Sequence, residues 1–212
     1  MDVVIIGAGG HGKVVLDVLR AAGVHRPIGF LDADPAVANT AVAGLPVLGQ
    51  INLLPKLRQQ KIRHAIVAIG DNRSRQSYIK SLREHGFELA SAVHPTAHVS
   101  PTAKVGQGAV VCPTAVVGTE AAIADGVIVN TGAIVDHECV VGECVHLAPG
   151  VLLAGRVSVG TGAFVGLGSR VIQCLTVGEW ATIGAGATVI RDVPAGVTVV
   201  GTPAKVLPPR AS

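Results

Sequence analysis

A chain of 212 residues that is 49% hydrophobic but only 2% aromatic has room for one or two domains, with cores built from Val, Ile, Leu and Ala rather than rings. Mean hydropathy is +0.54, yet Gly, Thr, Asp, Glu or Lys interrupts every apolar run well short of the roughly 18 residues of a membrane-spanning helix, which is therefore not expected. The net charge of +3 comes from the first half, where residues 1–95 carry 11 Lys/Arg against 7 Asp/Glu and residues 96–212 carry 6 against 7; that balance suits a small anionic ligand and is too weak for a nucleic-acid partner.

Met1 opens directly onto an apolar run with no basic segment before it, so no signal peptide is expected and a cytoplasmic address is the default. That run, Val3–Ile6, reads as a strand. Gly7-Ala8-Gly9-Gly10-His11-Gly12 follows, then a helical pattern through Val14, Val15, Val18 and Leu19. Phe30-Leu31-Asp32 ends a second strand. Ala65–Ile69 reads as a third, followed by Gly70-Asp71-Asn72-Arg73 and a helix running to about His85. Leu89–Val93 is the last short strand. Alternating strand and helix imply a small parallel sheet, an α/β domain over residues 1–94.

The Gly-rich turn fits GxGxxG, and Asp32 stands where a ribose-binding acid stands in dinucleotide folds. The segment is long enough for only one mononucleotide half, so a single nucleotide is the expected ligand. Gly9, Gly10 and Gly12 would cradle a diphosphate on backbone N–H groups at the helix start. His11 and Arg73 would add donors, and Asp32 or Asn72 would pair with base or ribose. His11 reads equally well as a polar helix cap.

From Val99 the chain steps by six without a gap: Val99, Val105, Val111, Val117, Ile123, Val129, Val135, Val141, Leu147, Leu153, Val159, Val165, Val171, Val177, Ile183 and Val189 are all aliphatic. The next residue is often Gly (Gly106, Gly118, Gly142, Gly160, Gly166, Gly178, Gly184), read as the turn glycine. The fifth position is mostly small, as at Ala109, Ala115, Ala133 and Ser169. A period of six fits neither a helix nor a simple strand. It fits flat flanks joined by sharp turns, three flanks to a coil of about eighteen residues, with coils stacked at about 4.8 Å. Residues 95–212 are thus expected to form an all-β coil stack, closed by Pro194 to Lys205.

This pattern resembles the hexapeptide-repeat acyltransferases, whose coils wind left-handed and whose prisms pack as trimers. Together with the Gly-rich first half, the whole chain is similar to the bacterial sialic acid/bacillosamine/perosamine-type acetyltransferase family. That resemblance implies acetyl-CoA as co-substrate, a homotrimer, and transfer to the 4-amino group of a nucleotide-linked deoxyamino sugar or to a hydroxyl of sialic acid. Nothing in the motifs separates amine from hydroxyl, and a non-catalytic nucleotide-binding trimer is the reading from another class.

The stretch Asn130 to Cys139 resembles the family's catalytic segment. The resemblance makes His137 the general base and Glu138 its orienting carboxylate. Acyl transfer from a thioester needs such a proton acceptor and a carboxylate to hold its tautomer. By position alone either Asp136 or Glu138 can reach the imidazole. Gly155 lies one coil along, where its N–H would face the thioester oxygen. The resemblance places His146 near the acyl donor or sugar, and a polar interface residue is the plainer alternative. Gly166, Gly168, Ala185 and Gly186 would let a pantetheine arm pass, with Arg191 or Lys205 meeting its phosphates. No metal is expected, because the histidines and cysteines lack ligand spacing, and Cys112, Cys139, Cys144 and Cys174 read as small buried hydrophobes.

Overall fold

The computed structural model describes residues 1–208 and divides the chain into two compact units, Met1–Pro95 and the chain from Thr96 onward. In the first unit the order is β1 (Asp2–Ile6), α1 (Gly10–Ala22), β2 (Arg26–Leu31), β3 (Ala41–Val42), β4 (Leu45–Gly49), α2 (Leu54–Gln59), β5 (His64–Val67), α3 (Asn72–Glu84) and β6 (Glu88–Leu89). They form a sheet in the order β3-β4-β2-β1-β5-β6. Pairing is parallel throughout except between β3 and β4.

Val3, Val4, Ile5, Ala65 and Ile66 are completely buried, the signature of central parallel strands covered on both faces. The chain leaves β1 for β2 on one side and later returns to β5 on the other. Such a reversal opens a crevice beyond the carboxyl ends of the strands.

Two features differ from the sequence reading. Residues 33–62, where the sequence pattern marks no element, hold β3, β4 and α2. Pro46 hid β4, because a proline inside a short run argues against a strand; here it lies opposite Ala41 of the two-residue β3. The expected strand Leu89–Val93 is also two pieces, Glu88–Leu89 and Ala92–Val93.

The second unit is a stack of two-residue strands in parallel register at intervals of eighteen. One face carries Val116–Val117, Ile134–Val135, Leu152–Leu153, Arg170–Val171 and Thr188–Val189. A second carries Ala122–Ile123, Val140–Val141, Ser158–Val159 and Thr176–Val177. A third carries Val110–Val111, Ile128–Val129, His146–Leu147, Phe164–Val165 and Thr182–Ile183. The every-sixth aliphatics point inward: Val117, Val135, Leu147 and Val165 are completely buried, and so are the small residues Ala115, Ala133, Ala163 and Ser169. Large and small side chains alternate along each flank, which fills a narrow prism without rings.

The turn position is not where the sequence pattern put it. The left-handed residue recurs every sixth position from Gly108 to Gly186, and at Thr114, Glu120, Glu138, Cys144, Arg156, Cys174 and Trp180 it is not glycine. The glycines after the inward aliphatics serve a different need. A methyl group on Gly106, Gly118, Gly142, Gly160 or Gly166 would meet the next coil at 2.6–2.9 Å, so these positions are set by coil-to-coil approach rather than by turn conformation. At the end of the stack Thr198–Val200 pairs parallel with Thr182–Ile183, and Lys205–Val206 folds back antiparallel on it.

Candidate active site

One corner of the coil stack carries Glu120, Glu138, Arg156 and Cys174 as its left-handed residues in successive coils, with Glu138 at φ +57. In that conformation the Glu138 side chain reaches back to its predecessor, and His137 Nδ1 lies 2.9 Å from Glu138 Oε2. An ionised carboxylate only accepts hydrogen bonds, so Nδ1 is the donor and Nε2 is left as the basic nitrogen. Asp136 does another job: its Oδ1 accepts the backbone N–H of His137 at 2.7 Å. The two side chains of the His137–Glu138 pair are each 49% exposed, open enough for a substrate to approach.

Gly155 lies directly beneath the imidazole. A methyl group there would overlap Nε2 and come within 2.5 Å of Cε1. The coil ladder uses the amides on either side, Ala154 N–H to Val171 O at 3.0 Å and Arg156 N–H to His137 O at 2.9 Å. Among the described residues the Gly155 N–H stands outside that ladder, next to the base. One coil further at the same corner comes Gln173, which the sequence reading did not single out although it falls two coils after His137. Arg191 follows in a shorter turn, where Val177 pairs with Val193; three coil spacings put it about 14 Å from His137. The adjoining face holds a groove of about 400 Å³ lined by Ile134, Asp136, Leu152, Arg170, Ile172 and Gln173.

Other expected site residues lie apart from this corner within one chain. Gly168 (φ +64) and Gly186 (φ +69) turn a different corner, and Ala185 beside them is exposed. Gly166 is one of the coil-approach glycines. A six-residue step moves to the next corner, so these residues and His137 stand on opposite edges of the Ile134–Leu152–Arg170 face. His146 is on another face, with Nε2 at 3.3 Å from Asn130 Nδ2 and its ring edge-on to Phe164 at 5.3 Å. Lys205 is exposed on the terminal hairpin.

In the first unit a pocket of about 320 Å³ opens at the carboxyl ends of β1, β2 and β5, lined by Gly7, Gly9, Gly10, His11, Asp32, Ala33, Ala68, Ile69, Gly70 and Tyr78. This is the crevice the strand order predicts. Gly9 and Gly10 have open space where a Cβ would stand. Asp32 braces the loop: Oδ2 accepts from Ala8 N at 2.7 Å and Oδ1 from Asp34 N at 3.0 Å. Gly12, expected in the cradle, is buried and a side chain there would strike the Gly7 carbonyl; it serves close helix–strand packing. Asn72 is buried too and accepts from Arg75 Nη2 at 2.8 Å, while Arg73 is exposed outside the pocket wall. Arg75, missed in the sequence because an arginine on a helix reads as surface, is only 1% exposed. Among the described residues no three His, Cys, Asp or Glu side chains gather to hold a metal, and no helix is long and apolar enough to cross a membrane.

Residues 2–82 match the PglD N-terminal domain. The chain is similar to PerB from Caulobacter crescentus, whose structure holds CoA and GDP-perosamine, at 47% identity and TM-score 0.94 over 98% of each chain. The acetyltransferase domain of PglB from Neisseria gonorrhoeae, in complex with acetyl coenzyme A, is 43% identical with TM-score 0.92, over 97% of this chain and 98% of that one. WeeI from Acinetobacter baumannii is 27% identical with TM-score 0.86, over 98% of this chain and 100% of the other. The chain belongs to this family of acetyl-CoA-dependent sugar acetyltransferases, which join a Rossmann-like domain to a left-handed parallel β-helix.

Proposed function

We propose that the protein transfers the acetyl group of acetyl-CoA to the 4-amino group of a nucleotide-linked deoxyamino sugar, with GDP-perosamine, the ligand of the Caulobacter relative, the first candidate. The observation that carries the catalytic part is the arrangement at one corner: Glu138 fixes Nδ1 of His137 and directs Nε2 over Gly155. The sugar amine attacks the thioester carbonyl while Nε2 takes its proton. The oxygen of the tetrahedral intermediate accepts the Gly155 N–H. The intermediate collapses to the amide, and the departing CoA sulfur takes the proton back from the imidazolium. No covalent acyl-enzyme forms.

The pocket of the first unit takes the nucleotide, its diphosphate lying on the Gly9 and Gly10 backbone at the start of α1, with His11 and Asp32 completing the wall. Acetyl-CoA runs along the corner from His137 past Gly155 and Gln173 toward Arg191. The corner of Gly168, Ala185 and Gly186 lies across a face from the base, which supports a homotrimer in which a neighbour supplies that wall. Dependence on acetyl-CoA supports a cytoplasmic role, making acetamido sugars for polysaccharide synthesis.

The test is CoA thiol release against GDP-perosamine, other nucleotide 4-amino sugars and free sialic acid. Turnover on a nucleotide amino sugar, with an amide in the product, is the expected result. Turnover on sialic acid alone would move the reaction to oxygen.

A further inference from the structure

Arg75 has no role in the chemistry above, yet among the described residues it is the largest side chain buried to this degree. Its Nη1 donates to Ile69 O at 2.9 Å and Gly70 O at 3.2 Å, and its Nη2 to Asn72 Oδ1 at 2.8 Å. Ile69 and Gly70 belong to the turn between β5 and α3, and Asn72 is the first residue of α3. Burying a guanidinium is costly unless its donors are met, and an apolar side chain of similar volume would fill the space more cheaply. What the arginine does that an apolar residue cannot is hold two carbonyls.

Those carbonyls belong to a pocket wall. Ile69 and Gly70 line the cavity together with Gly7, Gly9 and Gly10 of the Gly-rich loop. The two walls are in direct contact at their base, where Ala68 N–H donates to Ile6 O at 2.7 Å and a Cβ on Gly7 would stand 2.9 Å from Ala68 O. Any shift of the β5–α3 turn is therefore passed to the loop. A backbone carbonyl turned toward a diphosphate would repel it, whereas these two are tied to the arginine fork.

We propose that Arg75 is the positioning residue of this pocket: it fixes the β5–α3 wall that adjoins the Gly-rich loop and so sets the affinity for a nucleoside diphosphate, an inference that rests on reading the pocket as the nucleotide site. A lysine keeps the charge but has no planar fork to span carbonyls and amide together.

The experiment is calorimetric titration of GDP and of UDP into the wild type, Arg75→Lys and Asn72→Ala, beside thermal melts and steady-state kinetics. The expected result is roughly tenfold weaker binding by Arg75→Lys and a matching rise in KM for the nucleotide sugar, while kcat and the KM for acetyl-CoA stay put. Wild-type protein that binds neither nucleotide would end the reading of the pocket, and the proposal with it. Wild-type binding that Arg75→Lys retains in full would overturn the proposal alone, as would an equal decline in all kinetic constants. Should Arg75→Lys not fold, Asn72→Ala decides: it removes one acceptor and leaves both carbonyls, so severalfold weaker binding supports the role and unchanged binding overturns it.

Discussion

Replacing His137 with alanine is expected to lower kcat by about 10²–10⁴-fold, the usual worth of a positioned general base, without altering the fold. The side chain is half exposed, and its one side-chain partner is Glu138, also half exposed. It fills no core position, so little stability is lost with it. The coil bonds at this corner run through the main chain, from Arg156 N–H to His137 O and from Glu138 N–H to Thr119 O, and survive the substitution. The measurement is single-turnover transfer alongside a melting curve and the circular dichroism spectrum. Loss of rate with an unchanged melt is the outcome expected. A rate within severalfold of wild type would remove His137 from the mechanism.

Gly155→Ala is expected to cost about 10²-fold in kcat through geometry alone. Gly155 does not occupy the left-handed region, so alanine can adopt its backbone without the penalty it would meet at Gly168 or Gly186. The added methyl has nowhere to go except into the His137 ring, which must swing away and take Nε2 off its line. Because both residues then act through one base, the pair should be strongly non-additive. His137→Ala with Gly155→Ala should be little slower than His137→Ala alone. Multiplying effects would show instead that the methyl group harms the reaction by a route independent of the base.

The coil stack was open to reading from sequence because its physics repeats. A single inward aliphatic fixes nothing, but the same choice at every sixth position from Val99 to Val189 leaves few alternatives to a three-sided coil. The turn was misplaced by two residues for an equally physical reason. Glycine is required both for left-handed conformation and for close approach, and composition does not say which. Glu138 and Arg156, which turn corners, look like ordinary polar residues, whereas Gly118 and Gly160, which turn none, look like turn formers.

In the first unit the Gly-rich loop was legible because its spacing encodes a backbone shape. Arg75 was not, because it bonds to two carbonyls of the turn before α3 and to the helix's first side chain, not to a residue type that pattern reading anticipates. The separation of Gly168 and Gly186 from His137 is readable in the sequence only by counting coils. Spacing gives the corner only when counted modulo eighteen, and those residues fall on a different remainder.

Glu138 occupies a slot where the chain elsewhere uses Gly108, Gly126 and Gly150 without strain. A carboxylate at φ +57 is a small standing cost to the coil, and it can be relieved at any time by mutation to glycine or asparagine. Selection for heat tolerance alone would push this position in that direction and dismantle the base's partner as it went. A library screened only for survival at high temperature should therefore drift here toward stable, inactive enzymes, and any thermostabilisation effort on this family must hold residue 138 fixed.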